Sequence, residues 1–316
     1  MVKQSRVSLK EKYIQGGKKS DMSPSTSAVR EAKAILPVTT QLYYGQFVHS
    51  VTLDELEIRL NGLIVVDTDG RITHVFDDIG DGMSDEEVFE FYVNNGGTMS
   101  RNNVGIVNLS GDKTKFLIPG FIDTHIHASQ FPNVGVGLGV PLLKWLDKYT
   151  FKLESQFTVD PTDASRAIEL ATSVYSRVIM KTLSSGTTCA SYFTTIDPTT
   201  TNVFANLLLE YGQRGFIGKV CMNDNSTYQS YQEDYDTCIK STSECYHHIT
   251  KNNPSGELLI QPIITPRFAP ICTKELLGYL GNFAKVNDLP IQTHIAENQR
   301  EVDWVKSLFP EYDNYA

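Results

Sequence analysis

Leu117-Ile-Pro-Gly-Phe-Ile-Asp-Thr-His-Ile-His-Ala-Ser-Gln-Phe131 decides how the chain is read. An apolar run leads into His125 and His127, two residues apart. Side chains at i and i+2 of a strand point to one face. Two imidazoles at a strand end can therefore converge on one metal ion. His294 ends another short apolar run far downstream and is the third candidate ligand. Neutral imidazole suits zinc or iron, and the residues do not choose between them.

Outward from that stretch the rhythm is strand, helix, strand, helix. Asp160-Pro161 predicts a helix start, with Ile168, Ala171, Tyr175 and Val178 at helical spacing and Gly186 at its end. Thr187 to Phe193 reads as a strand, and Asp197-Pro198 repeats the helix start. Further strands are expected over Phe216–Met222, Leu258–Thr265 and Pro290–His294. Thr273 caps a helix bearing Leu276, Leu277, Leu280 and Phe283, and Glu297–Phe309 reads as another. The pattern predicts an α/β fold: a (β/α)8-type barrel over 117–316 with about five of its eight strands. A chain that stops there reads as truncated.

Residues 38–116 are β-rich and are expected to form part of a small β-sandwich domain. Leu60–Val66 and Arg71–Phe76 flank Asp69-Gly70, a hairpin signal. Asp77–Asn103 is acidic and Gly-rich, and is expected to be a loop or peripheral insertion. Residues 1–37 carry eight Lys/Arg against three Asp/Glu, without a sustained apolar period, and read as a disordered basic tail.

Composition excludes several classes. The net charge of −9 argues against nucleic acid as a partner. No apolar run reaches the length of a membrane span, and the N-terminus lacks the apolar core of a secretory signal. Five scattered cysteines without a C-x-x-C pair read as reduced thiols of a cytoplasmic protein. His49, His74, His247 and His248 have no ligand-like context.

Pro119 to His127 resembles the first-strand metal motif of the amidohydrolase superfamily. Within it, His127-Ala-Ser-Gln-Phe131, Pro141-Leu-Leu-Lys-Trp-Leu146, Tyr149-Thr-Phe151, Gly186-Thr-Thr188, Thr265-Pro-Arg-Phe268 and His294-Ile-Ala-Glu-Asn298 resemble the guanine deaminases. The resemblance implies hydrolysis of guanine to xanthine and ammonia by a metal-activated water. It implies His125, His127 and His294 as metal ligands, one zinc ion with iron as the alternative, and Glu297 as the proton shuttle. It implies Gln130, Arg267 and Phe268 as substrate-binding residues. The fourth strand ends without the Lys that bridges two metals in some relatives, which favours a single ion. A full-length member is expected to be a homodimer, to continue with another metal-site His and an Asp, and to be more active than this chain alone. The other readings are another amino-heterocycle hydrolase, or a non-catalytic truncated isoform or interaction protein.

Overall fold

The computed structural model describes residues 39–226, 228–253, 258–312 and 315. The segment 1–37, expected as a basic tail, lies outside the described residues. No helix among them is long and apolar enough to cross a membrane.

Four strands open the described chain: β1 (Thr40–Ser50), β2 (Leu56–Val66), β3 (Ile72–Phe76) and β4 (Val104–Asn108). They form one sheet in the order β3-β2-β1-β4, with β4 parallel to β1 and the other pairs antiparallel. The hairpin turn stands where Asp69-Gly70 predicts it. Asp67 Oδ1 accepts the N–H groups of Asp69 and Arg71, and Gly70 takes the φ of +78° that the turn demands.

The acidic stretch expected to be a loop contains a helix instead, α1 (Asp85–Asn94). Ser84 and Glu87 form a capping box, and the first turn is Asp-Glu-Glu. Carboxylates at a helix N-terminus oppose the positive end of the macrodipole. Val88 then packs among Leu42, Tyr44, Leu63 and Val65 of the sheet, which secures α1 against it.

Leu117 carries the chain from this sheet into the next. Its N–H donates to Gln46 O at 2.8 Å, and its carbonyl accepts Val48 N–H at 2.9 Å. The following strands are β5 (Phe121–His127), β6 (Thr187–Phe193), β7 (Arg214–Gly218), β8 (Val220–Cys221), β9 (Ile260–Pro262) and β10 (Thr265–Pro266). Between and after them run α2 (Ser165–Ser184), α3 (Pro198–Tyr211), α4 (Tyr235–Asn252), α5 (Lys274–Val286) and α6 (Gln299–Leu308). β5-β6-β7-β9 is a parallel sheet, and β8 pairs in parallel with β10. This is an incomplete (β/α) barrel, an open arc with Phe121 and Ile122 of β5 exposed to solvent.

Three local expectations need correction. Asp160 does not start a helix; its carboxylate is taken by the N–H and hydroxyl of Thr162, and α2 begins at Ser165. The third barrel strand is broken into β7 and β8 at Lys219, whose ammonium turns inward to a buried ion pair with Glu233. The fifth strand is not a continuous ladder. Residues 290–294 meet the fourth through isolated bridges at Ile291 and His294. Asp197 behaves as predicted: it caps α3 by accepting Thr200 N–H, and also accepts Val159 N–H.

Gln292 knits the arc together from inside. Its Nε2 donates to Tyr192 O and Thr265 Oγ1, and its Oε1 accepts from Ser191. Gly218 leaves room for this arrangement: a Cβ there would lie 1.8 Å from Thr265 Oγ1 and 2.4 Å from Gln292 Nε2. Gly218→Ala is therefore expected to destabilise the fold by about 1–3 kcal/mol through overpacking. Urea unfolding of the variant beside the parent measures this, and an unchanged midpoint would refute the close approach.

Candidate metal centre and active site

β5 delivers His125 and His127 to its C-terminal end, the side of a barrel where loops build sites. His294 arrives from the fifth strand position, held by its N–H to Arg267 O at 3.0 Å. One ring nitrogen from each of the three lies within 4.8 Å of the others. Phe193, at the end of β6, closes one side, with ring centroids 4.6 Å from His127 and His294. The three imidazoles singled out from the sequence are brought together at one place.

The hydrogen-bond pattern sets the tautomers. His294 Nδ1 lies 2.7 Å from Arg267 O. A carbonyl only accepts, so Nδ1 carries the proton and the Nε2 lone pair faces the cluster. His127 Nε2 sits 2.8 Å from His294 Nε2 and donates to it, since its Nδ1 faces the Gln130 amide nitrogen at 3.1 Å and accepts there. All three pKa values are lowered, each chiefly by burial: His125, His127 well below the ordinary histidine range, and His294 down to about 4. Desolvation disfavours imidazolium, and Arg267 adds repulsion at His127 and His294. Three imidazoles kept neutral, with the Nε2 lone pair of His294 turned toward the others, are a donor set that fits a borderline cation such as zinc.

Beside the histidines is a cavity of about 200 Å³ lined also by Gln130, Leu142, Trp145, Leu146, Arg267, Phe268 and Glu297. It adjoins a wider groove of about 570 Å³ under the loop 133–140. Every residue singled out from the sequence therefore borders one space. Arg267 is not on the surface, although it follows a proline: it is 2% exposed and paired with Glu154. Glu297 keeps contact with solvent. Burial on its other side raises its pKa, the Glu301 charge raises it further, and Arg267 pulls it down.

Two buried carboxylates were not singled out from the sequence. Glu154 ends the α-helical turn Phe151–Glu154 within the helical run 142–157 and meets Gln130, Arg267 and Tyr231. Glu301, in the first turn of α6, accepts the N–H groups of Ala296 and Glu297 and the hydroxyl of Tyr315. It holds Ala296 in a left-handed conformation, φ +56°, and so fixes the backbone that carries Glu297. A buried Glu three residues into a helix gives no sign in sequence of what it will meet. Glu301 had one signal, the Asn298-x-x-Glu301 spacing of a helix start.

The amidohydrolase family pattern matches residues 116–315. The chain belongs to the amidohydrolase family. Among individual members of this family, it is 40% identical to the guanine deaminase of Dictyostelium discoideum over 277 residues, 87% of this chain and 57% of that protein. It is 38% identical to the guanine deaminase of Homo sapiens over 282 residues, 89% of this chain and again 57% of that protein. The chain thus spans little more than half the length of these relatives. Among solved structures, it superposes on a Clostridium acetobutylicum (C. acetobutylicum) guanine deaminase with bound guanine at a TM-score of 0.70 and 30% identity, covering 88% of this chain and 58% of that one. As in amidohydrolases generally, a metal is the expected occupant of the histidine cluster.

The depressed histidine pKa values predict a pH dependence. Below about 6.5, an ordinary unfolded histidine gains a proton. The folded cluster does not, and His294 resists until about 4. The unfolded state then binds more protons, so stability is full above pH 6.5 and is lost as the pH falls toward 4. Urea unfolding of metal-free protein across that window measures the slope. His294→Asn should flatten it, and an equal slope in that variant would place the linked protons elsewhere.

Proposed function

We propose that the protein acts as a zinc-dependent guanine deaminase, converting guanine and water to xanthine and ammonia. The observation that carries this reading is the single cavity that gathers three neutral histidines, Glu297 and Arg267. The similarity to guanine deaminases over most of this chain supports it. His125, His127 and His294 would hold one zinc ion, with iron as the other ion this donor set suits. A metal held there supplies Lewis acidity and readies water for attack at neutral pH.

The chain's own residues account for recognition and proton movement. Arg267 presents fixed N–H donors, which suit the ring carbonyl oxygen of guanine. Gln130 presents an amide on the histidine side of the cavity, and Phe268 offers an apolar flank to the ring. Glu297 takes a proton from the attacking water at a carboxylate oxygen. It passes that proton to the ring nitrogen beside the attacked carbon, then moves the second to the departing amine. A carbon–oxygen bond forms, the carbon–nitrogen bond breaks, and ammonia leaves. The raised pKa of Glu297 brings it closer to neutrality, where a group both accepts and returns protons efficiently. The five free cysteines fit a reducing cytoplasm.

Zinc-loaded protein given guanine is expected to release xanthine and ammonia one for one, more slowly than a full-length member of the family. Glu297→Gln should lower that rate by about 10²–10⁴-fold with zinc content and guanine affinity kept. Xanthine formation followed by absorbance, with zinc measured by mass spectrometry, makes the test. Loss of zinc in step with activity would show Glu297 to be structural, and turnover of another amino-heterocycle in preference to guanine would refute the guanine reading.

A further inference from the structure

Glu154 has no solvent exposure, yet it touches both polar residues assigned above to guanine recognition. Arg267 Nη1 donates to Glu154 Oε2 at 2.6 Å, and Nη2 donates to Oε1 at 3.2 Å. Gln130 Nε2 donates to Glu154 Oε1 at 2.9 Å and lies 3.1 Å from His127 Nδ1. Tyr231 completes the carboxylate with a hydroxyl bond of 3.0 Å to Oε2. The Arg267 guanidinium also lies 5.0 Å above the ring of Phe151, three residues before Glu154. One side chain thus fixes a cation and an amide that come from separate strand ends.

We propose that Glu154 is a positioning residue that sets the ends of Arg267 and Gln130 presented to the ligand, and through them the preference for a purine bearing a ring carbonyl. The proposal rests on the guanine reading above for its ligand, but not for its geometry. An ionised carboxylate only accepts. It therefore draws two guanidinium N–H groups and the amide NH₂ toward itself, and holds them there in a site without competing water. The remaining Arg267 donors are the ones left to meet a carbonyl oxygen. Arg267 without its carboxylate partner is a buried charge with several orientations, and Gln130 is an amide free to turn. Glu154 lies beyond Arg267 and Gln130 from the cavity, whose lining does not include it, so it acts through them.

The test compares zinc-loaded parent protein with Glu154→Gln, and with Glu154→Asp should Glu154→Gln not fold. Equilibrium dialysis gives affinities for guanine and for 2-aminopurine, which lacks the ring carbonyl. Crystal structures of the same proteins give the positions of Arg267 and Gln130. The expected result is unchanged zinc content, displaced Arg267 and Gln130 side chains, and a preference for guanine reduced about 10- to 100-fold. Tyr231→Phe removes a bond from the same carboxylate while leaving both reading residues tied, and should keep the preference. An unmoved Arg267 and Gln130, or an unchanged preference, would overturn the proposal. So would an equal loss in Tyr231→Phe, which would mark a merely structural role. A parent protein that does not prefer guanine refutes the guanine reading alone; the crystal comparison then still decides whether Glu154 sets the two side chains.

Discussion

The site depends on burying Arg267 against Glu154. Removing two charges from water costs several kcal/mol per ion, and the pair holds only when its remaining hydrogen-bonding capacity is filled. Here Tyr231 and Gln130 fill it, and the Phe151 ring covers the guanidinium face. The consequences reach outward from that pair. The Arg267 carbonyl takes both the backbone N–H and the Nδ1 of His294, so the residue that holds the carboxylate also orients a histidine. Its positive charge helps keep His127 and His294 neutral and restrains the rise at Glu297. One residue therefore sets the geometry and the protonation of its neighbours together.

The scaffold supplies what the pair needs, which is enclosure. Glu154 arrives on a helical run that passes through a π segment at Leu146–Thr150 before Phe151–Glu154. A π segment changes the angular position of the residues after it. Phe151 and Leu146 pack with Phe193, Phe268 and Tyr231 in one apolar cluster that walls the site. A second cluster, around Tyr175, Tyr192, Phe204 and Leu208, fastens α2 and α3 to the outside of the sheet. The arc is packed where these cores close and open at β5, whose apolar Phe121 and Ile122 face solvent.

Much of this was legible because local chemistry and global fold agree at particular residues. The i, i+2 spacing of His125 and His127 on an apolar strand specified one face and one end. Asp197-Pro198 specified a helix start, and Asp69-Gly70 a turn, because each needs only its neighbours. The misses have physical causes of their own. Asp160 carries the same Asp-Pro signal as Asp197, but its carboxylate is captured by Thr162. The helix α1 was signalled by Ser84 and Glu87, yet the acidic, Gly-rich surroundings outweighed a two-residue cue. Lys219 breaks a strand because its partner Glu233 lies beyond it in sequence, where no period points to it. Glu154 meets Arg267 across 113 residues, a pairing that only the folded chain creates.

A common logic links the two carboxylates that the sequence did not announce. Glu154 gathers side-chain donors. Glu301 gathers backbone donors, the N–H groups of Ala296 and Glu297. Both are fully buried. A buried carboxylate left without donors costs far more than its hydrogen bonds return, so each enforces the conformation that supplies those donors. For Glu301 that conformation includes the left-handed Ala296, a strain of order 1–3 kcal/mol that a surface loop would release. Glu297 is held where that strain puts it, close enough to Glu301 for its proton affinity to rise. The groups with chemistry to perform are thus positioned by carboxylates that are themselves buried and occupied by their own donors.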